Sequence, residues 1–304
     1  MLTAIICTYN RAKYIGNLLE SIAANDLSKS KYEILLVDNN CTDNTRAVCE
    51  AFAEAHKDVN FRYVVEEEQG LSAARNKGIR EAKGDVLVYI DDDALIDTWY
   101  LRTIYEYMTT HAEISAVGGP IIPLYETEEP QWMTRYTKEL LCGYLYFGDK
   151  ERTFPGDRYP GGGNAAYRAD VFEKTGLFNT DLGRKGDSLM GAEEKDIFDK
   201  MCSYGMRFMY LPEMILHHII PQKKLERDYF DRLTWQIGLS ERQRTKALGT
   251  GKYINRLAKE AVKWLCTLVL LVCYTLQAQP LKGWKLVLFR ANVTCGLLGI
   301  SASR

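Results

Sequence analysis

Two clusters of carboxylates are the residues in this chain best equipped for chemistry. The first, Asp91-Asp92-Asp93, ends the apolar run Val86-Leu87-Val88-Tyr89-Ile90. Three adjacent like charges raise one another's pKa values unless water, hydrogen-bond donors or a cation absorb them. A divalent metal does so most simply, and oxygen ligation suits Mg²⁺ or Mn²⁺ shared with substrate phosphates. A solvated acidic turn is the alternative. The second cluster, Glu193-Glu194-Lys195-Asp196, runs into Ile197, Phe198 and Met201 at helical spacing, so its carboxylates fall in the first turn of a helix. The helix dipole favours acidic residues there in any case. The chemical reading is a general base whose position the helix start fixes. In His217-His218, beside a strand-like stretch, His218 is a further metal-ligand candidate, although such pairs are more often packed or hydrogen-bonded.

The elements that position these groups follow from periodicity. Residues 3–9 predict a buried strand, Asn10-Arg11 a turn, and Ile15, Leu18, Leu19 and Ile22 a helix. Residues 33–38 repeat the pattern, with Thr42 or Asp43 as the N-cap of a helix reaching about Ala55. A third strand at about 60–66, a small-residue helix opened by Gly70-Leu71-Ser72, and the Asp-terminated strand at 85–91 complete the series. Short strands alternating with helices predict an α/β class, a parallel sheet with helices on both faces. Ligands of such sheets collect beyond the carboxyl ends of the strands. One rim therefore carries Thr8, Tyr9, Asn10 and Arg11, then Asp38, Arg75, and Asp91 with its neighbours. Together they suit a nucleoside: Tyr9 offers a stacking face, Asp38 an acceptor for a base N–H, and Arg75 a cation for phosphate or base.

Beyond a helix at 98–110 and a strand at 115–119 the pattern breaks. Residues 123–160 are rich in proline and aromatics, Trp132 among them, and read as an irregular excursion that is either a sugar or acceptor wall or a loop with its own small core. Gly161, Gly162 and Gly163 before Asn164 permit close approach of backbone to a ligand, or form a bulge, and Gly162, Gly163 and Asn164 are candidate sugar or acceptor contacts. Phe208–Pro212 and Met214–His218 read as a short strand pair.

Composition narrows the classes. The 304 residues are 46% hydrophobic with a formal charge of -1, ordinary for a globular chain and without the basic field expected of a nucleic-acid binder. Eight cysteines without CxxC spacing argue against a zinc or dithiol site and for reduced thiols in the cytoplasm, and no secretion leader is visible at Met1–Ile6. Residues 223–263 carry an excess of Lys and Arg, followed at once by the apolar stretch Trp264–Leu276 and a second apolar segment around Trp284–Phe289. The first stretch falls short of the ~20 residues a bilayer span needs. Two readings stand side by side: an in-plane anchor across 223–300 on the anionic inner face of a membrane, or helices packed together or into an oligomer.

The residues then match a known family. The chain resembles the family 2 glycosyltransferases, inverting enzymes with a GT-A fold, over about residues 1–220. The resemblance rests on Cys7-Thr8-Tyr9-Asn10-Arg11, on Val37-Asp38-Asn39-Asn40, on Gly70-Leu71-Ser72-Ala73-Ala74-Arg75-Asn76, on the triple Asp, on Gly162-Gly163-Asn164-Ala165-Ala166, and on the acidic cluster at 193–196. It implies a Rossmann-like nucleotide-binding sheet, with 1–122 as nucleotide half and 123–222 as acceptor half of a catalytic domain; the helical region at 223–304 lies outside the shared core and rests on pattern alone. It implies hexosyl transfer from a nucleotide sugar, with a UDP-sugar expected, to a hydroxyl of a glycan or lipid-linked acceptor in polysaccharide synthesis. Thr8, Tyr9, Asp38 and Arg75 take nucleoside contacts. In the position of the family's DxD motif, Asp91 or Asp92 lies near the ribose and Asp93 is the ligand of Mn²⁺ or Mg²⁺ on the diphosphate. The chain departs from the family at the base, where Glu194 stands in place of Asp, with Glu193 and Asp196 as rivals. A nucleotidyltransferase is disfavoured because the first loop, Tyr9–Lys13, has no glycine-rich phosphate turn. A non-catalytic membrane-bound scaffold would not need both acidic clusters.

Overall fold

A computed structural model describes residues 1–184 and 193–300 of the chain. The strands are β1 (Leu2–Thr8), β2 (Tyr32–Asp38), β3 (Phe61–Val65), β4 (Val86–Ile90), β5 (Ala94–Ile96), β6 (Ile114–Gly118), β7 (Ile121–Tyr125), β8 (Arg152–Thr153), β9 (Asn164–Arg168), β10 (Arg207–Tyr210) and β11 (Leu216–Ile220). The helices are α1 (Ala12–Ala23), α2 (Thr45–Ala55), α3 (Leu71–Glu81), α4 (Tyr100–Thr110), α5 (Arg135–Cys142), α6 (Val171–Thr175), α7 (Glu193–Ser203), α8 (Gln222–Leu225), α9 (Arg227–Ala247), α10 (Thr250–Leu276) and α11 (Pro280–Leu298). Described residues 1–124, 143–184 and 193–219 form one compact unit, and 125–142 with 220–300 form a second.

The first unit is built on an eight-stranded sheet of order β3-β2-β1-β4-β9-β6-β10-β8. Its strands sort their side chains by alternation, as the two-residue period of a pleated strand requires. Leu2, Ala4 and Ile6 of β1, Ile34 and Leu36 of β2, and Val86 and Val88 of β4 join one core with Ile15, Leu18 and Leu19 of α1 and Ile104 of α4. Ile5, Leu35, Leu87 and Tyr89 point the other way, into a core with Ala74 of α3 and Ile197, Phe198 and Met201 of α7. Helices thus cover both faces, in the Rossmann-like GT-A arrangement. Small residues bring α3 close, since a Cβ on Gly78 would stand 2.6 Å from Cγ2 of Ile5.

The sheet is mixed, where alternation predicted parallel pairing throughout. β9 lies antiparallel between β4 and β6, with Ile90 opposite Asn164 and Gly118 opposite Ala165. Its amino end therefore shares the rim made by the carboxyl ends of β1, β2 and β4. The expected pairing of 208–212 with 214–218 also does not occur. β10 joins β6, whereas β11 joins β5 in a three-stranded sheet of order β5-β11-β7. The chain turns at Leu211–Met214, where Leu211 N–H is taken by Gly118 O at 2.8 Å and Pro212 has no N–H to pair.

In the second unit α9, α10 and α11 pack as a helical bundle. Phe230 and Leu233 of α9, with Met133, Leu141, Cys142 and Ile220, make its core. Gly238 permits the approach of α9 to α11, because a Cβ there would lie 2.1 Å from Val293 O.

Candidate active site

The rim of the first unit gathers most of the predicted residues. At the tip of β1, Thr8 is buried and Tyr9 is 44% exposed, leaving its ring available to a ligand. Asn10 adopts φ 56°, and its side-chain oxygen accepts from the N–H groups of Thr42 (2.7 Å) and Asp43 (3.3 Å), so it braces the neighbouring loop. Helix α2 begins at Thr45, later than the predicted cap, and Asp43 accepts from Thr45 N–H at 3.0 Å. Asp38, buried at the tip of β2, accepts from Cys41 N–H at 2.7 Å on one oxygen and from the Tyr63 hydroxyl on the other. Tyr63 escaped the sequence reading because it reaches Asp38 from β3.

The triple Asp finds a cation within the protein. Arg11 places Nε 3.4 Å from Asp92 Oδ1 and Nη2 3.3 Å from Asp93 Oδ2. Burial pushes the Asp92 carboxyl up to about 7, with Arg11 pulling it down and Asp93 and Asp91 pushing it further up. Asp93 is buried and meets His218, whose Nε2 lies 3.2 Å from Asp93 Oδ1. The pairing of β5 with β11 brings them together: His218 stands opposite Ala94, and Ile219 N–H donates to Asp93 O at 2.8 Å. Two donors bound side by side to an octahedral ion at 2.0–2.1 Å lie about 3.0 Å apart, so this spacing fits adjacent positions on one cation. Among the described residues, no three His, Cys, Asp or Glu side chains converge into a full metal cage.

Opposite stands the second acidic cluster. Arg75, fully buried on α3, places Nη1 2.9 Å from Glu193 Oε1 and Nη2 2.9 Å from Glu194 Oε1. Burial alone would lower the arginine pKa, but Glu194 and Glu193 hold it above its ordinary value. Burial and the charge of Glu194 push Glu193 up, against Arg75. Glu193 is enclosed, its side chain 3% exposed, whereas that of Glu194 is 28% exposed. Asp196 is engaged by Lys200 at 2.7 Å. Of the three rivals Glu194 is the exposed carboxylate held by the buried Arg75, whereas Asp196, 32% exposed, pairs with a lysine of its own helix. Gly191 and Ala192, just before the helix, lie outside the described residues.

Gly162 and Gly163 join the two clusters. A Cβ on Gly162 would stand 1.7 Å from Glu194 Oε1, and one on Gly163 would stand 2.0 Å from Asp91 Cγ. The close approach predicted for these glycines is therefore made by the protein's own carboxylates. Asn164 is fully buried, and its amide is spent within the fold: it donates to Pro120 O (2.8 Å) and Met214 O (3.1 Å) and accepts from the Tyr100 hydroxyl (2.7 Å). Its place is in holding β9 rather than meeting a ligand. Trp132 belongs to the second unit, where its ring packs edge-on to Phe230 at 6.0 Å between centroids and under Lys285.

The sequence profile of glycosyl transferase family 2 matches residues 3–176, more than half of the chain. The chain belongs to glycosyl transferase family 2. Among its relatives, the glucosyl-dolichyl phosphate glucuronosyltransferase of Haloferax volcanii is 27% identical over 245 residues, covering 79% of this chain and 76% of the relative. The succinoglycan biosynthesis protein ExoM of Rhizobium meliloti is 25% identical over 304 residues, covering 97% and 92%. In fold, the mannosyltransferase PcManGT from Pyrobaculum calidifontis, solved with GDP-Man and Mn²⁺, superposes with a TM-score of 0.62 at 20% identity over 96% of this chain and 86% of that one. As a family 2 member with the GT-A fold, the protein is an inverting glycosyltransferase that moves a sugar from a nucleotide-sugar donor to an acceptor.

Proposed function

We propose that Glu194 is the general base of this transferase and that Asp93 and His218 hold the divalent cation, Mn²⁺ or Mg²⁺, that accompanies the donor diphosphate. The observation that carries this reading is the rim itself, where the five carboxylates of Asp91, Asp92, Asp93, Glu193 and Glu194 gather about Arg11 and Arg75, with His218 on Asp93. A diphosphate enters so acidic a site only with a cation of its own. Asp93 and His218 would hold that ion, which when bound would supply positive charge against the departing nucleoside diphosphate. Mg²⁺ and Mn²⁺ commonly use one or two protein ligands and complete their shell with phosphates and water, which fits a two-residue donor set.

Tyr9 stacks on the base, Thr8 and Asp38 line its edge, and Asp91 or Asp92 meets the ribose. With Tyr63 and Cys41 each occupying one oxygen, Asp38 suits the single imide N–H of uracil better than the paired donors of guanine, so a UDP-sugar is the proposed donor. Arg75 holds the Glu194 carboxylate against Gly162. Glu194 then takes the proton of an acceptor hydroxyl as that oxygen attacks the anomeric carbon from the face opposite the leaving group, inverting configuration. The archaeal relative is named for a dolichyl-phosphate-linked acceptor and the bacterial one for an exopolysaccharide. A glycan or lipid-linked acceptor follows by analogy, with Gly162 and Gly163 on the acceptor side. We take 1–222 as the catalytic domain and place the enzyme in the cytoplasm, peripheral on the inner face of the membrane. All eight cysteines are free, in keeping with a reducing compartment.

The test is release of nucleoside diphosphate from a panel of nucleotide sugars with Mn²⁺, with and without acceptor. Glu194→Gln should lose at least ~10²-fold in turnover while donor affinity stays within error. Near-normal turnover in that variant would sink the assignment.

A further inference from the structure

We propose that the helices α10 and α11 form an interfacial surface that binds anionic bilayers lying flat on the headgroups. The inference deepens the membrane placement above by naming the surface and the lipid chemistry. Val262, Leu265, Val269, Val272 and Leu276 recur at intervals of three and four residues, which puts them on one face of α10. All five are exposed, from 58% for Val272 to 82% for Leu276. Leu281 (58%) and Trp284 (57%) extend the apolar surface onto the start of α11. The bundle does not need this face. The opposite side of α10 makes the packing contacts, with Trp264 Nε1 donating to the Thr294 hydroxyl at 2.9 Å and Gly283 seated against Leu271.

Charge decides what covers it. Between Thr250 and Ile300 the chain carries Lys252, Arg256, Lys259, Lys263, Lys282, Lys285 and Arg290 against a single acid, Glu260. Glu260 is buried and clamped by Arg256 (2.7 Å) and Arg290 (2.9 Å), so it offers no negative charge to the surface. Lys252, Lys259 and Lys263 are exposed along the helix that carries the apolar stripe. Two copies apposed through this face would bring two basic segments together. A bilayer with anionic headgroups instead supplies acyl chains for the stripe and negative charge for the lysines. Trp284, with an apolar body and a polar N–H, is a side chain suited to the headgroup boundary. Among the described residues no helix is long and apolar enough to cross a membrane, so the surface lies on the bilayer rather than through it.

The experiment is vesicle flotation of the full chain, comparing vesicles of phosphatidylcholine alone with vesicles that also contain phosphatidylglycerol. Binding to the anionic vesicles should exceed binding to the neutral ones and fall as salt rises, with the Trp284 emission shifting to the blue and the shift missing in Trp284→Phe. Replacing Val269 and Val272 together by Asp, at positions that face solvent, should weaken flotation by about tenfold or more and leave the melting temperature unchanged. Failure to float, or flotation indifferent to these substitutions or to lipid charge, overturns the proposal. So does a concentration-dependent dimer that the same substitutions dissolve, which would assign the face to a second copy. Calorimetric binding of a nucleoside diphosphate, measured on the same samples, separates this outcome from failure of the transferase assignment.

Discussion

Replacing Gly162 by Ala tests the base assignment from the backbone side. The new Cβ would stand 1.7 Å from Glu194 Oε1, 2.3 Å from its Cδ and 2.7 Å from Arg75 Nη2. An ordinary C···O separation is about 3.3 Å, so the carboxylate must retreat by roughly 1.6 Å and leave its bond to Arg75. A displacement of about 1 Å at a reacting group costs on the order of 10²-fold in rate. We expect Gly162→Ala to lower kcat by at least that factor in a steady-state assay of diphosphate release, with little change in donor KM. Loss of one charge-assisted hydrogen bond should also cost about 1.5–3 kcal/mol in a urea melt. The companion Glu194→Asp shortens the side chain by one carbon–carbon bond, ~1.5 Å, close to the required retreat. The double variant should therefore be faster than Gly162→Ala alone. Gly251→Ala, where a Cβ meets nothing within 4 Å, is the control. Wild-type kcat in Gly162→Ala, or a double variant no better than the single, would refute the reasoning.

Three further outcomes follow from the same geometry. Calorimetry of Asp93→Ala and His218→Ala should show weakened metal-dependent binding of a nucleoside diphosphate; affinity equal to wild type in both would remove them as ligands. Arg75→Met leaves two carboxylates facing each other in a buried site and should lose about 3–5 kcal/mol of stability by chemical denaturation; a smaller loss in Arg75→Met than in Glu193→Gln would contradict the central place given to Arg75. Glu193 has a folded pKa raised above its ordinary 4.5, so the folded state holds a proton that the unfolded chain has released. Its contribution to stability is thus full below about 4.5 and is lost as pH rises through the folded value. In Glu193→Gln this part of the decline in Tm with pH should vanish, and an unchanged slope would show that Glu193 does not titrate as described.

Much of this was legible in the sequence because it depends on local periodicity. The apolar runs of β1, β2 and β4 predicted buried strands, and the rim that carries Tyr9, Asp38 and the triple Asp followed from the βα order. What stayed hidden joins distant segments. Arg75 and Glu193 are 118 residues apart, and nothing in the spacing of either shows that the arginine would be spent on the acidic helix. The cation sought for the triple Asp was partly supplied by Arg11, read in the sequence as a turn residue on the nucleotide rim. His218 met Asp93 through a sheet pairing that the expected 208–218 hairpin would have prevented. Asn164 looked like a ligand contact because it follows three glycines, yet its burial commits its amide to Tyr100, Pro120 and Met214.

The antiparallel placement of β9 has an evolutionary consequence. The chain leaves β6 at Gly118, adds β8 at the far end of the strand order, and returns beside β6 as β9, with Gly118 opposite Ala165 in register. The interval between them carries β7 and β8 but begins and ends on adjacent strands, so the irregular stretches within it can change in length with little effect on strand order, since loop closure grows only slowly costlier with length. As long as the glycines before β9 are kept for Glu194 and Asp91, that interval behaves as an exchangeable cassette. New acceptors could then be acquired by replacing one continuous stretch of gene, while the donor-binding strands and the base are inherited untouched.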